Sequence, residues 1–346
     1  MRERRSQQKN RIPANPGQVI LLLVFLLLSV FLVSFTLGRY GVPLSQVIRV
    51  LIDRVIPLNQ TWTTEMETVV INIRLPRILM ACLVGCCLSA AGASYQGVFQ
   101  NPMAAPDILG ASSGAAFGAA LAILIGVSTR MITLFAFVSS MITVIAVFLI
   151  AQRAPGMRVI NLILAGIMVG SLFTAGTSYI KLVADPTNQL PAITYWMMGS
   201  LSGAKLKDVG IVFVPMAIGL IPLFLLRWQV NILTLGDEEA RTLGVNTNRL
   251  RFFVIVCSTL VTAASVSVSG MIGWVGLVIP HLSRKLVGSN YRYLLPASMV
   301  AGATFLLLVD NVSRNLLAVE IPIGILTAFI GAPFFIYLIS KREKTL

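Results

Sequence analysis

Charged residues are scarce in this chain. They make up 12% of its 346 residues, about half of the ~25% usual in soluble proteins. Acids are scarcest, 13 against 27 lysines and arginines. So few charges cannot solvate the exterior of a soluble fold of this length, which excludes an ordinary soluble enzyme, a nucleic-acid-binding domain and a disordered chain. Histidine occurs once, as His281, and a single histidine cannot make a zinc site. Three of the four cysteines, Cys82, Cys86 and Cys87, share one apolar stretch, and Cys257 lies in another; helix packing is their expected role. No phosphate-cradling G-x-x-x-x-G-K-[ST] loop is present. No nucleophile–base–orienter set is visible either, so neither catalysis nor a bound cofactor or metal is expected.

What is abundant is apolar surface. Hydrophobic residues are 56% of the chain and the mean hydropathy is +0.86. A spanning helix takes ~20 residues plus a loop, so the length allows about ten spans in an all-α polytopic membrane protein. The expected spans are 19–37, 78–95, 108–125, 132–151, 159–182, 209–226, 252–269, a short interrupted one at 270–287, 294–309 and 321–339. A loop at 38–77 and a short re-entrant or interfacial helix within 184–207 are expected outside. Residues 227–251 form the most polar interior stretch. Most of the lysines and arginines fall on segments this topology places inside, including a basic tail at 1–18 and another at 341–346; by the positive-inside rule both termini are cytoplasmic. The net charge of +14 is then a topology signal rather than a sign of nucleic acid. The N-terminal apolar run is long enough to span and shows no small-residue cleavage site.

Lipid gives helices little hydrophobic reason to associate, so small residues must supply close packing. Gly110, Gly114 and Gly118 recur every fourth residue, as do Gly166 and Gly170, and glycine is dense from Gly270 through Gly273 to Gly276. They read either as plain packing or as thin helices that line a path or slide during gating. Ionisable residues are nearly absent from the spans, Asp310 falling at the outer end of one. An ion-coupled transporter needs such groups near the midplane, so energy is expected from a separate ATP-hydrolysing subunit.

Several runs stand out in order: Arg74-Leu75-Pro76-Arg77; Gly85, Gly92, Gln96, Asn101-Pro102-Met103-Ala104 and Leu109-Gly110; Leu235-Gly236, Ala240-Arg241 and Leu243-Gly244; Ser269 to His281; and Asp310, Arg314, Glu320 to Gly324 and Gly331 to Phe335. Together they resemble the permeases of bacterial ABC importers for iron–siderophores and vitamin B12, the FecCD family, with Trp274 where phenylalanine is more usual. The resemblance covers about residues 20–340, in one permease domain of about 19–340. It implies a vitamin B12 permease-like, type II importer fold. It also implies a second permease subunit, identical or paralogous, and two P-loop ATPase subunits on the cytoplasmic side. An extracytoplasmic substrate-binding protein would dock above, and the cargo would be a ferric siderophore, with a corrinoid or haem as alternatives. An ion-coupled secondary transporter is the alternative of another class.

Residue by residue, the resemblance assigns Arg74, Arg77 and Arg314, expected at outer helix ends, to docking the binding protein through charge-assisted pairs; interfacial snorkelling is the alternative. It assigns the segment 235–249, with Leu235, Gly236, Ala240, Arg241, Leu243 and Gly244, to ATPase coupling. There Gly236 opens a short surface helix, Asp237, Glu238 and Glu239 favour its first turn, and Gly244 ends it; a solvated loop is the alternative. Asn101, Pro102, Gly110, Gly114, Gly270, Gly273, Gly276 and Pro280 are expected to be structural or gating residues. His281 is expected to be a polar group at a helix end.

Overall fold

The computed structural model describes residues 15–54, 56–155 and 158–342. Residues 1–14 of the expected basic tail and 343–346 of the C-terminal one lie outside them. All regular structure among the described residues is helical, in the order α1 (Pro16–Ser34), α2 (Leu44–Asp53), α3 (Thr64–Thr68), α4 (Leu75–Val98), α5 (Ala111–Leu124), α6 (Thr129–Arg153), α7 (Arg158–Val183), α8 (Gln189–Met197), α9 (Leu206–Leu233), α10 (Asp237–Thr242), α11 (Thr247–Ser269), α12 (Val275–Val287), α13 (Tyr291–Asn315) and α14 (Ile323–Arg342). Among the described residues seven helices are long and apolar enough to cross a membrane. α5, α12 and α14, outside that count, pack with them, so the spans expected at 108–125, 270–287 and 321–339 each hold a helix.

The expected outer loop at 38–77 is only partly a loop. It contains α2, and the second span starts far earlier than residue 78, because Thr64–Val98 is one rod. Thr63 starts it by accepting the Met66 N–H at 3.3 Å, and a π-helical turn, Val69–Arg74, joins α3 to α4. That wide turn ends where Pro76, which has no N–H to give, enters the helix. The polar stretch expected from residue 227 begins later than read, since α9 runs on to Leu233, and α11 takes residues 247–249.

α4 is the hub, with α9, α11, α12 and α13 packed around it, and nearly all of it from Pro76 to Val98 is buried. Glycine lets this happen. A Cβ on Gly85 would overlap the Gly302 carbonyl of α13, and one on Gly92 the Gly276 carbonyl of α12. Pro280 lies inside α12, so it cannot donate to the carbonyl four residues back. That carbonyl belongs to Gly276, and Gln96 Nε2 approaches it at 3.5 Å.

α12 has only 13 residues, about 20 Å at 1.5 Å per residue, too short for a ~30 Å hydrocarbon core. Residues 270–274, which precede it, are non-helical. Such backbone survives at membrane depth only inside protein, and here neighbouring helix ends surround it. The Ser200 N–H donates to Ser269 O at 2.8 Å, Ile323 N–H to Gly199 O at 2.8 Å and Gly324 N–H to Met198 O at 3.1 Å. The N-terminus of α14 is thus satisfied by the carbonyls that end α8.

Two glycine replacements should separate close packing from helix propensity. Gly92→Val is expected to abolish a monodisperse, folded protein, because backbone stands where the side chain must go. Gly210→Ala, where nothing lies within 4 Å, is expected to leave the melting temperature unchanged or raise it, by up to ~1 kcal/mol of helix propensity. Thermal melts in detergent check both.

Candidate functional site

Three features of the bundle carry chemistry: a buried charge cluster at the end bearing α2 and α8, a groove edged by hydroxyl groups, and the short helix α10 at the opposite end.

The charge cluster buries Arg74, Arg77 and Arg314, which were expected at outer helix ends to meet a docking protein. Their exposures are 3%, 7% and 8%, and Asp310 is fully buried. Arg77 Nε donates to Asp310 Oδ1 at 2.8 Å, and its Nη1 donates to both Glu320 oxygens at 2.8 and 2.9 Å. Arg314 sits one turn after Asp310, with Nε 3.5 Å from Oδ2, and donates to Ser34 O at 3.0 Å and to Asn311 Oδ1. Arg74 donates to Phe35 O and Tyr40 O. Two of these arginines therefore reach carbonyls at the C-terminal end of α1, Ser34 O and Phe35 O, where the helix dipole is negative and carbonyls lack partners. The physical reason for the burial is economy of charge: a guanidinium that leaves water needs several acceptors at once, and these helix ends provide them. Asp310, Asn311 and Glu320 were not singled out as site residues. The Asp310–Arg314 spacing of four on an apolar helix was the available signal. Arg39 straps the following segment by donating to Leu317 O at 3.1 Å and to Ala318 O. Glu320 alone among the acids here is partly open, its side chain 33% exposed.

The groove, about 570 Å³, is lined by Asp107, Ile108, Gly110 and Ser113 on one side and by α7 on the other, from Gly166 through Gly170, Ser171 and Thr174 to Ser178. Gly110 (φ 73°) starts α5 and brings the backbone against Gly166 O and the Gly170 Cα. Asp107 caps the same helix start, accepting the Ser112 N–H at 2.8 Å. Gly114 faces Thr143 of α6 rather than the groove, and Gly270 lies beneath Trp196 O. A Cβ on Gly273 would meet nothing within 4 Å. Asn101 Oδ1 accepts the Met103 N–H at 2.9 Å, forming with Pro102 the turn that leaves α4. His281 lies on α12, its ring 6.2 Å from that of Phe334.

At the other end α10 spans Asp237–Thr242, between Gly236 (φ 128°) and Gly244 (φ 80°). Arg251 at the start of α11 grips Asp237 with two bonds, 2.7 and 3.0 Å. Leu235 and Leu243 stand out at 62% and 58% exposure, whereas Ala240 is fully buried. Ala240, expected among the coupling residues, seats α10 on the bundle. Arg241 is exposed on the helix. Among the described residues no group of three His, Cys, Asp or Glu side chains gathers to hold a metal ion.

A polytopic bundle with a groove at its side and a short helix projecting at one end is compatible with a membrane permease. Residues 23–341 match the model of the FecCD transport family, and the chain belongs to that family. It is 39% identical over 332 residues to a molybdate import system permease of Haemophilus influenzae, covering 96% of this chain and 98% of that one. It is 41% identical over 286 residues to a probable iron chelatin transport permease of Helicobacter pylori, covering 83% and 86%. A solved structure described as a metal-chelate type ABC transporter in an inward-facing conformation superposes with a TM-score of 0.84 at 39% identity, over 94% of this chain and 99% of that one. The chain is thus a multi-pass permease subunit of an ABC importer, and ATP hydrolysis belongs to a separate subunit.

Breaking the charge cluster should be severe. Asp310→Asn leaves two buried guanidiniums without their shared carboxylate and is expected to cost about 3–5 kcal/mol. Glu320→Gln, at a partly solvated pair, should cost under ~1 kcal/mol. Unfolding of the purified protein in detergent measures both.

Proposed function

We propose that this permease carries an iron(III)–siderophore-type chelate across the cytoplasmic membrane, along a path to which the α5–α7 groove contributes one wall. The observation that carries this reading is the chemistry of that wall. Ser171, Thr174 and Ser178 donate to Ile167 O at 2.7 Å, Gly170 O at 2.9 Å and Thr174 O at 3.0 Å, all on their own helix. They turn only oxygen lone pairs outward, a surface weak enough for a large polar cargo to leave again. No lysine or arginine lines the groove, so a small oxyanion finds no cation there. The H. pylori relative and the metal-chelate transporter support the same class. The H. influenzae relative favours molybdate as the second reading. Uptake into cells expressing the whole importer distinguishes the two: ⁵⁵Fe-labelled hydroxamate chelate is expected to enter and molybdate not to compete. Molybdate uptake without iron uptake would overturn the assignment.

The partners follow from the importer class. A second permease copy or paralogue completes the path, a substrate-binding protein meets the end bearing Glu320, and two ATPase subunits meet α10. On this reading Leu235, Leu243 and Arg241 touch the ATPase, while Gly236, Ala240 and Gly244 set the angle at which α10 is offered. Arg74, Arg77 and Arg314 act on docking through the rim they hold in shape. Asn101, Pro102, Gly110, Gly270, Gly276 and Pro280 give the path its turns and thin walls. Replacing Leu235 and Leu243 together by Glu should reduce ATPase co-purification at least ~10-fold, as expected for losing apolar anchors at the centre of an interface, with the permease melting temperature unchanged.

A further inference from the structure

The end of α4 contains a backbone outlier that helix packing leaves unexplained. Gln100 has φ +49° and is one of two non-glycine residues with positive φ among those described. Its N–H donates to Gly97 O and the next N–H, of Asn101, to Gln96 O. This is the paired closure of a Schellman motif, with Gln100 at the left-handed position that glycine usually fills. A side chain kept there against its own backbone preference points to a task for that side chain. Gln100 Nε2 donates to Leu233 O at 2.7 Å.

Leu233 is the last residue of α9, and its carbonyl also faces the Gly236 N–H at 3.4 Å, in the turn that opens α10. On the other side of Gln100 the chain runs directly into 101–110, whose Asp107, Ile108 and Gly110 line the groove. The helix ends have little room to slip past each other, since a Cβ on Gly97 would strike Val230 and Tyr291. One carbonyl thus joins the root of α10 to the segment that borders the groove.

We propose that Gln100 is a positioning residue that transmits the state of α10 to the inner mouth of the groove, its amide holding residues 101–110 to the α9–α10 junction. The inference rests on α10 being the element that seats the ATPase. Movement of α10 pulls on Leu233 O, and the amide passes that displacement to the turn that starts α5. Without the amide, α10 moves and the groove does not follow.

The test uses the permease with its ATPase subunit in lipid nanodiscs and a Ser113→Cys reporter in the groove. Maleimide labelling at that site is read by mass spectrometry, without nucleotide and after trapping with ATP and vanadate. With Gln100 present, trapping is expected to change the labelling rate about 10-fold, within the range of ordinary coupling energies. Gln100→Ala and Gln100→Gly should each cut the response below about twofold, while ATP still binds and the melting temperature stays near that of the parent. Gln100→Lys, whose ammonium reaches the same carbonyl, should restore most of it. A full response in Gln100→Ala overturns the proposal. So does a full response in Gln100→Gly alone, which would make backbone strain, not the tether, the active feature. If the parent shows no nucleotide response, or the ATPase does not bind it, the reading of α10 falls first and the proposal with it.

Discussion

A helix surrounded by other helices in lipid has no water to escape from, so what holds it is contact, and contact there is limited by how closely backbones can approach. α4 is in that position. Its near-complete burial depends on glycine facing glycine at Gly85–Gly302 and Gly92–Gly276. Those approaches fix where α12 and α13 can run. They also determine which polar groups need partners, because a helix that lies this deep cannot send a side chain to solvent. The Gln96 amide beside the Gly276 carbonyl, and Tyr95 Oη 2.8 Å from Thr259 Oγ1, are consequences of that depth.

The charge cluster is the same constraint met at the end of the bundle. Arg77 enters on α4 just after the π turn and meets Asp310 of α13, the helix that packs most extensively against α4. Once the pair is buried, the neighbouring cations must also be satisfied, and the carbonyls beyond α1 serve Arg74 and Arg314. The cluster therefore ties α1, α4, α13 and the approach to α14 into one rim. Its partly exposed member, Glu320, lies on the segment strapped by Arg39, beside the exposed Leu316, Leu317 and Val319. A surface that is apolar, acidic at its edge and stiffened from beneath is suited to receive another protein.

At the opposite end the arrangement is looser and more polar. α10 is held by Ala240 below and by the Arg251–Asp237 pair at its start, while two leucines stay uncovered. Between the two ends, α12 begins only after the non-helical 270–274 segment, and α14 starts on the carbonyls of α8. Helix ends that meet inside the membrane can shift by breaking a few hydrogen bonds, whereas the glycine contacts of α4 cannot shift without collision. The bundle thus has its closest backbone contacts at the centre and helix ends joined by a few hydrogen bonds at the margins.

Much of this was legible in the residues. Scarce charge and long apolar runs determined an all-helical membrane chain, because hydrocarbon admits no other backbone that closes its own hydrogen bonds here. Ordered motifs from Arg74 to Phe335 determined the family. The dense glycine determined that helices would approach closely, and Pro280 that the eighth span would be irregular. What the tertiary structure decided was which partner each polar group found. Arginines placed at helix ends by hydropathy read as exposed, yet Asp310 and Glu320, 233 and 243 residues away from Arg77 in sequence, draw one of them inward. That Ala240 is the buried seat of α10 was equally a matter of tertiary packing. The left-handed backbone of Gln100 had no sequence signal, since the carbonyl that takes its amide, Leu233 O, lies on another helix 133 residues away. Periodicity and composition describe one segment at a time, and pairing energy in a low-dielectric interior depends on what another segment brings within 3 Å.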